Sequence, residues 1–376
     1  MLYRPPKLGS AEDAVLGLIR GLWTELRHHL QQRPPRWTGL LARNLRARAI
    51  QGSNSIEGYL VNDEAALAAL DGNRPEDTDE PAWTNVVHYR EAMDYVLQLA
   101  ADEGFSYAPQ LLKSLHFIMM RHRRDKHPGL WRPGAIYVRN EATGEVAYEG
   151  PPADEVEVLV TALCQQLTEE DAAAPTRLVR AALAHLNLVM VHPFSDGNGR
   201  MARCLQTLVL ARGGVLDSTF SSIEEYLGRN TQRYYDVLAE LGQGGWHPQG
   251  NTLPWIRFCL RAHYEQAARA KRRIDLVAAL SEEVERELAR RGLPDRAAVS
   301  LVNAALGYRL RNENYRREAA VSMPSATRDL RQLAAAGLIV AEGEKRGRYY
   351  AAGPWLRQTA FRYQSKHLIA DPFRLV

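Results

Sequence analysis

The segment from 176 to 212 constrains the fold more than any other part of the chain. Its first half carries Leu178, Val179, Ala182, Leu186, Val189 and Met190, and is apolar on most faces, which predicts a helix buried on every side. A further helix begins at Asn198-Gly199 and carries Leu205, Leu208 and Leu210. The stretch His192-Pro193-Phe194-Ser195-Asp196-Gly197-Asn198-Gly199-Arg200-Met201-Ala202-Arg203 joins them. It combines a titratable base, a carboxylate, a Gly-Asn-Gly turn and two arginines. A triphosphate-using enzyme needs such a set: a base for the nucleophile, a metal ligand, a phosphate cradle and cations for the developing charge.

Each residue type suits one part of that chemistry. The imidazole of His192 can accept a hydroxyl proton near neutral pH. Asp196 is read as a Mg²⁺ ligand, with a helix cap as the plainer alternative. Gly197, Asn198 and Gly199 lie where a helix starts, so their backbone N–H groups can form an anion nest reinforced by the helix dipole. Arg200 and Arg203 are three residues apart and share one helix face, from which guanidinium groups can fork onto phosphate oxygens. Phe194 is expected to plug the core and pin the loop.

These residues fill every fixed position of H-x-F-x-[DE]-G-N-G-R-x-x-R, and the chain resembles the Fic family over about residues 38–262. The resemblance implies transfer of AMP from ATP to a protein Ser, Thr or Tyr hydroxyl. His192 would be the base, Asp196 the Mg²⁺ ligand, Arg200 a contact to the phosphate chain and Arg203 the contact to the γ-phosphate. The unaltered nest glycines favour AMP transfer over the phosphate transfer of kinase-like relatives. Ser53-Asn54-Ser55-Ile56-Glu57-Gly58 matches [ST]-x-x-x-E-[GN], the family's inhibitory-helix motif, in its N-terminal arrangement. Ser53, Glu57 and Gly58 would then restrain the site, because a Glu57 carboxylate on Arg203 occupies the cation meant for the γ-phosphate. In some relatives the matching glutamate instead supports removal of AMP, so a de-AMPylase stays open.

Further positions follow from the same resemblance. Pro128-Gly129-Leu130-Trp131-Arg132 and the hairpin after it resemble the family's flap, which docks a target segment by strand addition. Ile136, Tyr137, Val138 and Tyr148 are its expected edge residues. Residues 226–238, with Tyr234 and Tyr235, resemble the helix beside the adenine pocket. The following Leu241-Gly242-Gln243-Gly244-Gly245 lacks the asparagine some relatives place against the base. The protein target includes the chain itself as an option.

Helical periodicity further predicts helices over 12–30, 36–50, 84–101, 108–122, 222–241 and 253–292, with a turn at Gly52-Ser53-Asn54 and a Gly-rich connector over 242–251. Beyond Gly292-Leu293-Pro294, helices over 297–306, 312–320 and 324–336 precede two short strands, at 337–340 and 348–351, around a charged turn. That order reads as a winged helix-turn-helix. The fold class is therefore mainly α: a Fic-type helical bundle with a short β-hairpin flap and a C-terminal winged-helix domain. The expected domains are 1–75 (inhibitory), 76–265 (catalytic), 266–294 (connecting helix) and 295–376 (winged helix). In the last, Ser325, Thr327, Arg328 and Arg331 lie where recognition-helix residues lie, and Lys345, Arg346 and Arg348 on the wing. DNA and protein partners are both open for it, as is a regulator in which the nucleotide site acts as a sensor.

Composition sets limits on these readings. The chain has 376 residues, 45% hydrophobic and 24% charged, with a net charge of +4, too mild by itself to argue for nucleic acid. Cys164, Cys204 and Cys259 are far apart and read as buried reduced thiols. No signal-peptide architecture and no run of about 20 apolar residues is present, so a cytoplasmic protein without a membrane partner is expected. A homodimer is left open.

Overall fold

The computed structural model describes residues 1–75, 78–139, 144–169, 177–213, 218–343, 348–364 and 367–376. In chain order its helices are α1 (Ser10–Gln31), α2 (Pro35–Ile56), α3 (Asp63–Asp71), α4 (Glu80–Ala101), α5 (Pro109–Met120), α6 (Val156–Glu169), α7 (Arg177–Val191) and α8 (Asn198–Arg212). They continue with α9 (Ser218–Ser221), α10 (Glu224–Arg229), α11 (Thr231–Gly242), α12 (Leu253–Arg291), α13 (Ala298–Ala305), α14 (Asn312–Ala319), α15 (Met323–Ala335) and α16 (Pro354–Tyr363). The strands are β1 (Tyr137–Arg139), β2 (Val146–Glu149), β3 (Gly244–Gly245), β4 (Ile339–Glu342) and β5 (Tyr349–Ala352). The protein is mainly α-helical.

The chain divides into two compact units. One holds residues 1–24, 45–267 and 370–376; the other holds 25–44 and 268–369. This division departs from the sequence boundaries in two ways. Residues 45–75, with the Ser53–Gly58 motif, belong to the first unit, and residues 25–44 of α1–α2 belong to the second.

The first unit is organised around α7 and α8, which lie side by side with α4 and α5 packed on α8 and α6 on α7. All of α7 beyond its first residue is buried, as its apolar faces require. Trp255 of α12 is fully buried and donates its indole N–H to the Ala182 carbonyl at 2.7 Å, so α12 is pinned to the centre of α7. The small sheet has the order β1-β2-β3. β1 and β2 are antiparallel, with Val138 opposite Tyr148, and β3 runs parallel to β2. The Gly-rich connector thus supplies a strand, and β2 is the middle strand. The hairpin tip at 140–143 lies outside the described residues.

Three local findings differ from the periodicity reading. First, Gly52-Ser53-Asn54 is no turn; α2 runs through it to Ile56. Gly52 is there for packing, since a Cβ on it would lie 2.6 Å from the Glu224 carbonyl oxygen and 2.8 Å from the Glu225 Cα. Ser53 and Asn54 beside it are buried. Second, the helix expected over 222–241 is broken at Asn230, which closes α10 and precedes α11. Third, α3 was not anticipated; it is a short helix capped by Asn62 and ended by Gly72.

In the second unit, α13, α14 and α15 precede the antiparallel pair β4–β5, with Leu310 bridged to Tyr350. Cys164, Cys204 and Cys259 are buried free thiols. Among the described residues, no helix is long and apolar enough to cross a membrane.

Candidate active site

The C-terminus of α7 and the N-terminus of α8 face each other across the loop 192–197. Asn198, buried at the head of α8, staples that loop: its amide accepts from the Phe194 N–H at 2.9 Å and donates to the Phe194 carbonyl at 2.8 Å. The Phe194 ring is buried, stacked on His116 at 3.8 Å and tilted against Trp131 at 5.0 Å. His116 accepts from the Gly129 N–H and bonds the Asp196 carbonyl at 3.1 Å, which ties the loop to α5. Burial lowers the His116 pKa to about 4, so it holds this place as a neutral ring.

His192 follows α7 in a left-handed backbone conformation, φ 50°. Its Nδ1 lies 2.9 Å from the Val189 carbonyl, so Nδ1 carries the proton and donates it. Nε2 is left with a lone pair, the state a general base requires. Burial and the Arg132 charge lower its pKa, against the opposing pull of the Val189 carbonyl, Glu57 and Asp196. Arg132 is buried and fixes this residue from behind. Its Nε donates to the His192 carbonyl at 2.9 Å and its backbone N–H to the Pro193 carbonyl, while the other guanidinium nitrogens bind Gly134 and Pro151. One side chain therefore joins the catalytic loop to both ends of the flap.

Asp196 directs one oxygen onto the Gly197 N–H at 2.6 Å. The second oxygen is free to ligate. A half-buried single carboxylate beside an anion nest fits Mg²⁺, which takes one or two carboxylates and completes its shell with phosphate and water oxygens.

Arg200 and Arg203 are each 1% exposed. Arg200 donates to the Asn85 amide oxygen at 2.7 Å, and Arg203 donates from Nε to the Ser53 hydroxyl at 2.6 Å. Arg203 Nη2 bonds the Ser53 carbonyl at 3.0 Å and the Glu57 carboxylate at 2.6 Å. Its Nη1 is buried without a partner, as is Nε of Arg200. Buried guanidinium nitrogens without partners are costly, and an anion seated here would satisfy them.

Glu57 lies just past α2 on the head of α8. A Cβ on Gly199 would come within 2.7 Å of its Oε1, so only glycine admits the carboxylate there. Burial would raise the Glu57 pKa, but Arg203 and Arg200 outweigh it and hold the carboxyl below its usual range. Ser53 and Glu57 are thus both on Arg203, and Gly58, at φ 81°, ends the helix beyond them.

The other expected positions divide. Tyr234 is 1% exposed, bonds His185 at 2.9 Å and packs on Trp255 and Phe258. A tyrosine one position away on a helix faces elsewhere; Tyr235 is 45% exposed, and its hydroxyl donates to the Ile56 carbonyl, next to Glu57. Tyr148 is no edge residue either. It lies on the middle strand, buried, and donates to the Met190 carbonyl at 2.6 Å. Tyr137 and Val138 are exposed on the outer strand, with Ile136 half-buried at its start. The Asn198 side chain is committed to the loop, which leaves its backbone N–H for a ligand.

The sequence alone did not point to Asn85, Tyr89, His116 or Glu224, and it placed Arg132 in the flap without a partner. A trace of signal existed for one pair: Asn85 and Tyr89 stand four apart on α4, a polar pair on a face that is otherwise buried.

In the second unit, Arg328 and Arg331 are exposed on α15. The Ser325 hydroxyl contacts Ser322, and that of Thr327 donates to the Met323 carbonyl. The Arg348 guanidinium lies over Tyr350. Lys345 and Arg346 lie outside the described residues.

The family model described as Fic/DOC matches residues 106–210 of the chain. The chain is similar to the protein adenylyltransferase Fic of Nematostella vectensis, 28% identical over 214 residues, covering 56% of this chain and 45% of that one. A 48-residue stretch is 52% identical to the protein adenylyltransferase fic-1 of Caenorhabditis briggsae, 13% of this chain and 10% of that one. The chain thus spans less than half the length of these curated relatives. In fold it is similar to a Fic family protein from Desulfovibrio desulfuricans G20, with a TM-score of 0.59 at 24% identity, covering 94% of this chain and 99% of that one.

Proposed function

We propose that this chain is a Mg²⁺-dependent protein adenylyltransferase restrained by its own inhibitory turn. The observation that carries this reading is the pairing at the head of α8. A base with its acceptor nitrogen uncommitted stands beside an anion nest, and the nest's arginine is held by Glu57.

In the proposed reaction ATP lies with its phosphates on the α8 N-terminus, Arg200 and Arg203. Asp196 would hold Mg²⁺, which neutralises phosphate charge when bound. A target hydroxyl lies near His192, presented by a segment added to the free edge of β1 at Tyr137 and Val138. Nε2 takes the hydroxyl proton as the oxygen forms its bond to the α-phosphorus. The bond from that phosphorus to the β-phosphate oxygen breaks and pyrophosphate leaves. Arg132 keeps base and flap in register.

Glu57 opposes this by occupying Arg203, so the γ-phosphate finds its cation taken. The test is AMP transfer by Glu57→Gly with and without His192→Ala. Gain of transfer with the first and loss with the second support the proposal. Loss of a phosphodiesterase activity with Glu57→Gly would point instead to removal of AMP as the main direction.

For the second unit we propose a winged helix that binds duplex DNA through α15. The supporting observation is charge placement. Asp329 turns inward onto Arg296 and Tyr315, at 2.7 Å to each, while Arg328 and Arg331 face out without a carboxylate partner among the described residues. Salt-dependent binding to duplex DNA, lost with Arg328→Ala, tests it.

A further inference from the structure

Behind Arg203 the helices bring together a buried polar network that the reaction above does not use. Glu224, at the start of α10, is 2% exposed, and one of its oxygens accepts from the Tyr89 hydroxyl at 2.7 Å. Tyr89 is fully buried on α4, and its phenol also faces the Ser53 hydroxyl. Ser53 in turn accepts from Nε of Arg203. A continuous path of side chains therefore runs from Arg203 through Ser53 and Tyr89 to Glu224.

A small cavity adjoins this path, lined in part by Arg203, Gln206, Thr207 and Glu224. The second Glu224 oxygen and the Gln206 amide nitrogen are both buried there without partners. Burial pushes the Glu224 carboxyl up to about 7, with Tyr89, Arg203 and Thr207 pulling the other way. Two carboxyl groups therefore flank one guanidinium. Glu57 pairs with it from the nucleotide side, and Glu224 lies behind it.

These two carboxylates have different fates when ATP binds. Glu57 must leave Arg203, since the phosphate takes its place. Glu224 and Tyr89 belong to α10 and α4 and need not move. A buried arginine that loses its ionic partner is free to swing unless something else fixes it. Asn85, one turn before Tyr89, performs the matching task for Arg200.

We propose that Glu224 is a positioning residue which, through Tyr89 and Ser53, keeps the Arg203 guanidinium aimed at the phosphate cradle once Glu57 has withdrawn. The inference rests on the proposed nucleotide chemistry of the site. It adds an inner anchor to the outer restraint.

The test measures nucleotide binding in the full chain, by calorimetry with ATP and, separately, AMP, in the presence of Mg²⁺. The background is Glu57→Gly, where the outer carboxylate is gone. Adding Glu224→Ala is expected to weaken ATP about tenfold, the equivalent of one lost charge-assisted hydrogen bond, and to leave AMP unchanged. AMP has no γ-phosphate for Arg203 to reach, so a merely structural defect would weaken both ligands alike. In transfer assays KM for ATP rises while kcat holds, as for an interaction made equally in ground and transition states. Glu224→Gln, whose amide oxygen can still accept from Tyr89, recovers most of the loss. Tyr89→Phe keeps the fold if Glu224→Ala does not, and it reproduces the selective loss of ATP. Equal loss of ATP and AMP, or no loss of either, overturns the inference. Failure of the Glu57→Gly parent to bind ATP at all would instead overturn the proposed function of the site.

Discussion

Of the arginines spaced three residues apart on helices of this protein, two pairs are in opposite physical states. Arg200 and Arg203 on α8 are 1% exposed and held by Asn85, Ser53 and Glu57. Arg328 and Arg331 on α15 are exposed, and neither is paired with a carboxylate among the described residues. The spacing puts each pair on one helix face; burial decides what the pair can do there. Desolvated, partly unsatisfied guanidinium groups are pre-organised for one anion in one geometry. Solvated ones attract any polyanion, and salt weakens the attraction.

The largest expected effects are in the buried pair's site. His192→Ala should lower AMP transfer by about 10²–10⁴-fold, the usual share of a general base, while ATP affinity holds. Equal transfer by the variant in a steady-state assay would remove His192 from the chemistry.

Next comes the restraint. Glu57→Gly leaves the Arg203 charge buried without its carboxylate, which costs on the order of 3–5 kcal/mol for a buried pair of this kind. Its melting temperature should fall, and saturating ATP should restore more of it than in the wild type. A variant that melts like the wild type and gains nothing from ATP would place the pair outside the nucleotide site.

A pH effect of intermediate size belongs to the loop support. His116 stays neutral in the fold down to about 4, whereas its ordinary value is 6.5. The unfolded chain therefore takes up a proton that the folded one does not. The associated stability is whole above about 6.5 and drains away as pH falls toward 4, on the order of 3 kcal/mol in all. Acid melts of wild type and His116→Gln would show it, and identical profiles would contradict it.

The smallest effects are expected at the exposed pair. Arg328→Ala and Arg331→Ala should change stability by no more than about 0.5 kcal/mol. Each should weaken duplex DNA binding with a shallower salt dependence, by roughly one unit of slope. Unaltered binding would leave α15 as a protein-docking helix.

The site was readable from sequence where chemistry is local. His192, Asp196, the nest and both arginines lie within one loop and one helix turn, so their spacing alone puts them together. Glu57 was readable only through family resemblance, because nothing in residues 53–58 by themselves points to a partner 146 residues away. What sequence missed is what long-range packing decides. Gly52 looks like a turn residue, yet it is the contact point between α2 and α10. Tyr234 and Tyr235 look equivalent until α11 is placed, when one enters the core and the other stays out. Tyr148 looks like an edge residue until β3 covers its strand. Asn85 and Tyr89 stand in an unremarked helix, and only the packing of α4 on α8 makes them supports for the two arginines.

The most direct test is intact-mass spectrometry of the full chain after incubation with Mg²⁺ and ATP, alone and with a cell extract supplying protein targets. Wild type, Glu57→Gly, and Glu57→Gly with His192→Ala would be compared. The account predicts an AMP-sized mass increase, on the chain or on an extract protein, that is strong with Glu57→Gly, weak with wild type and lost with His192→Ala. An increase that is equal in all three, or absent from Glu57→Gly in both settings, would contradict it.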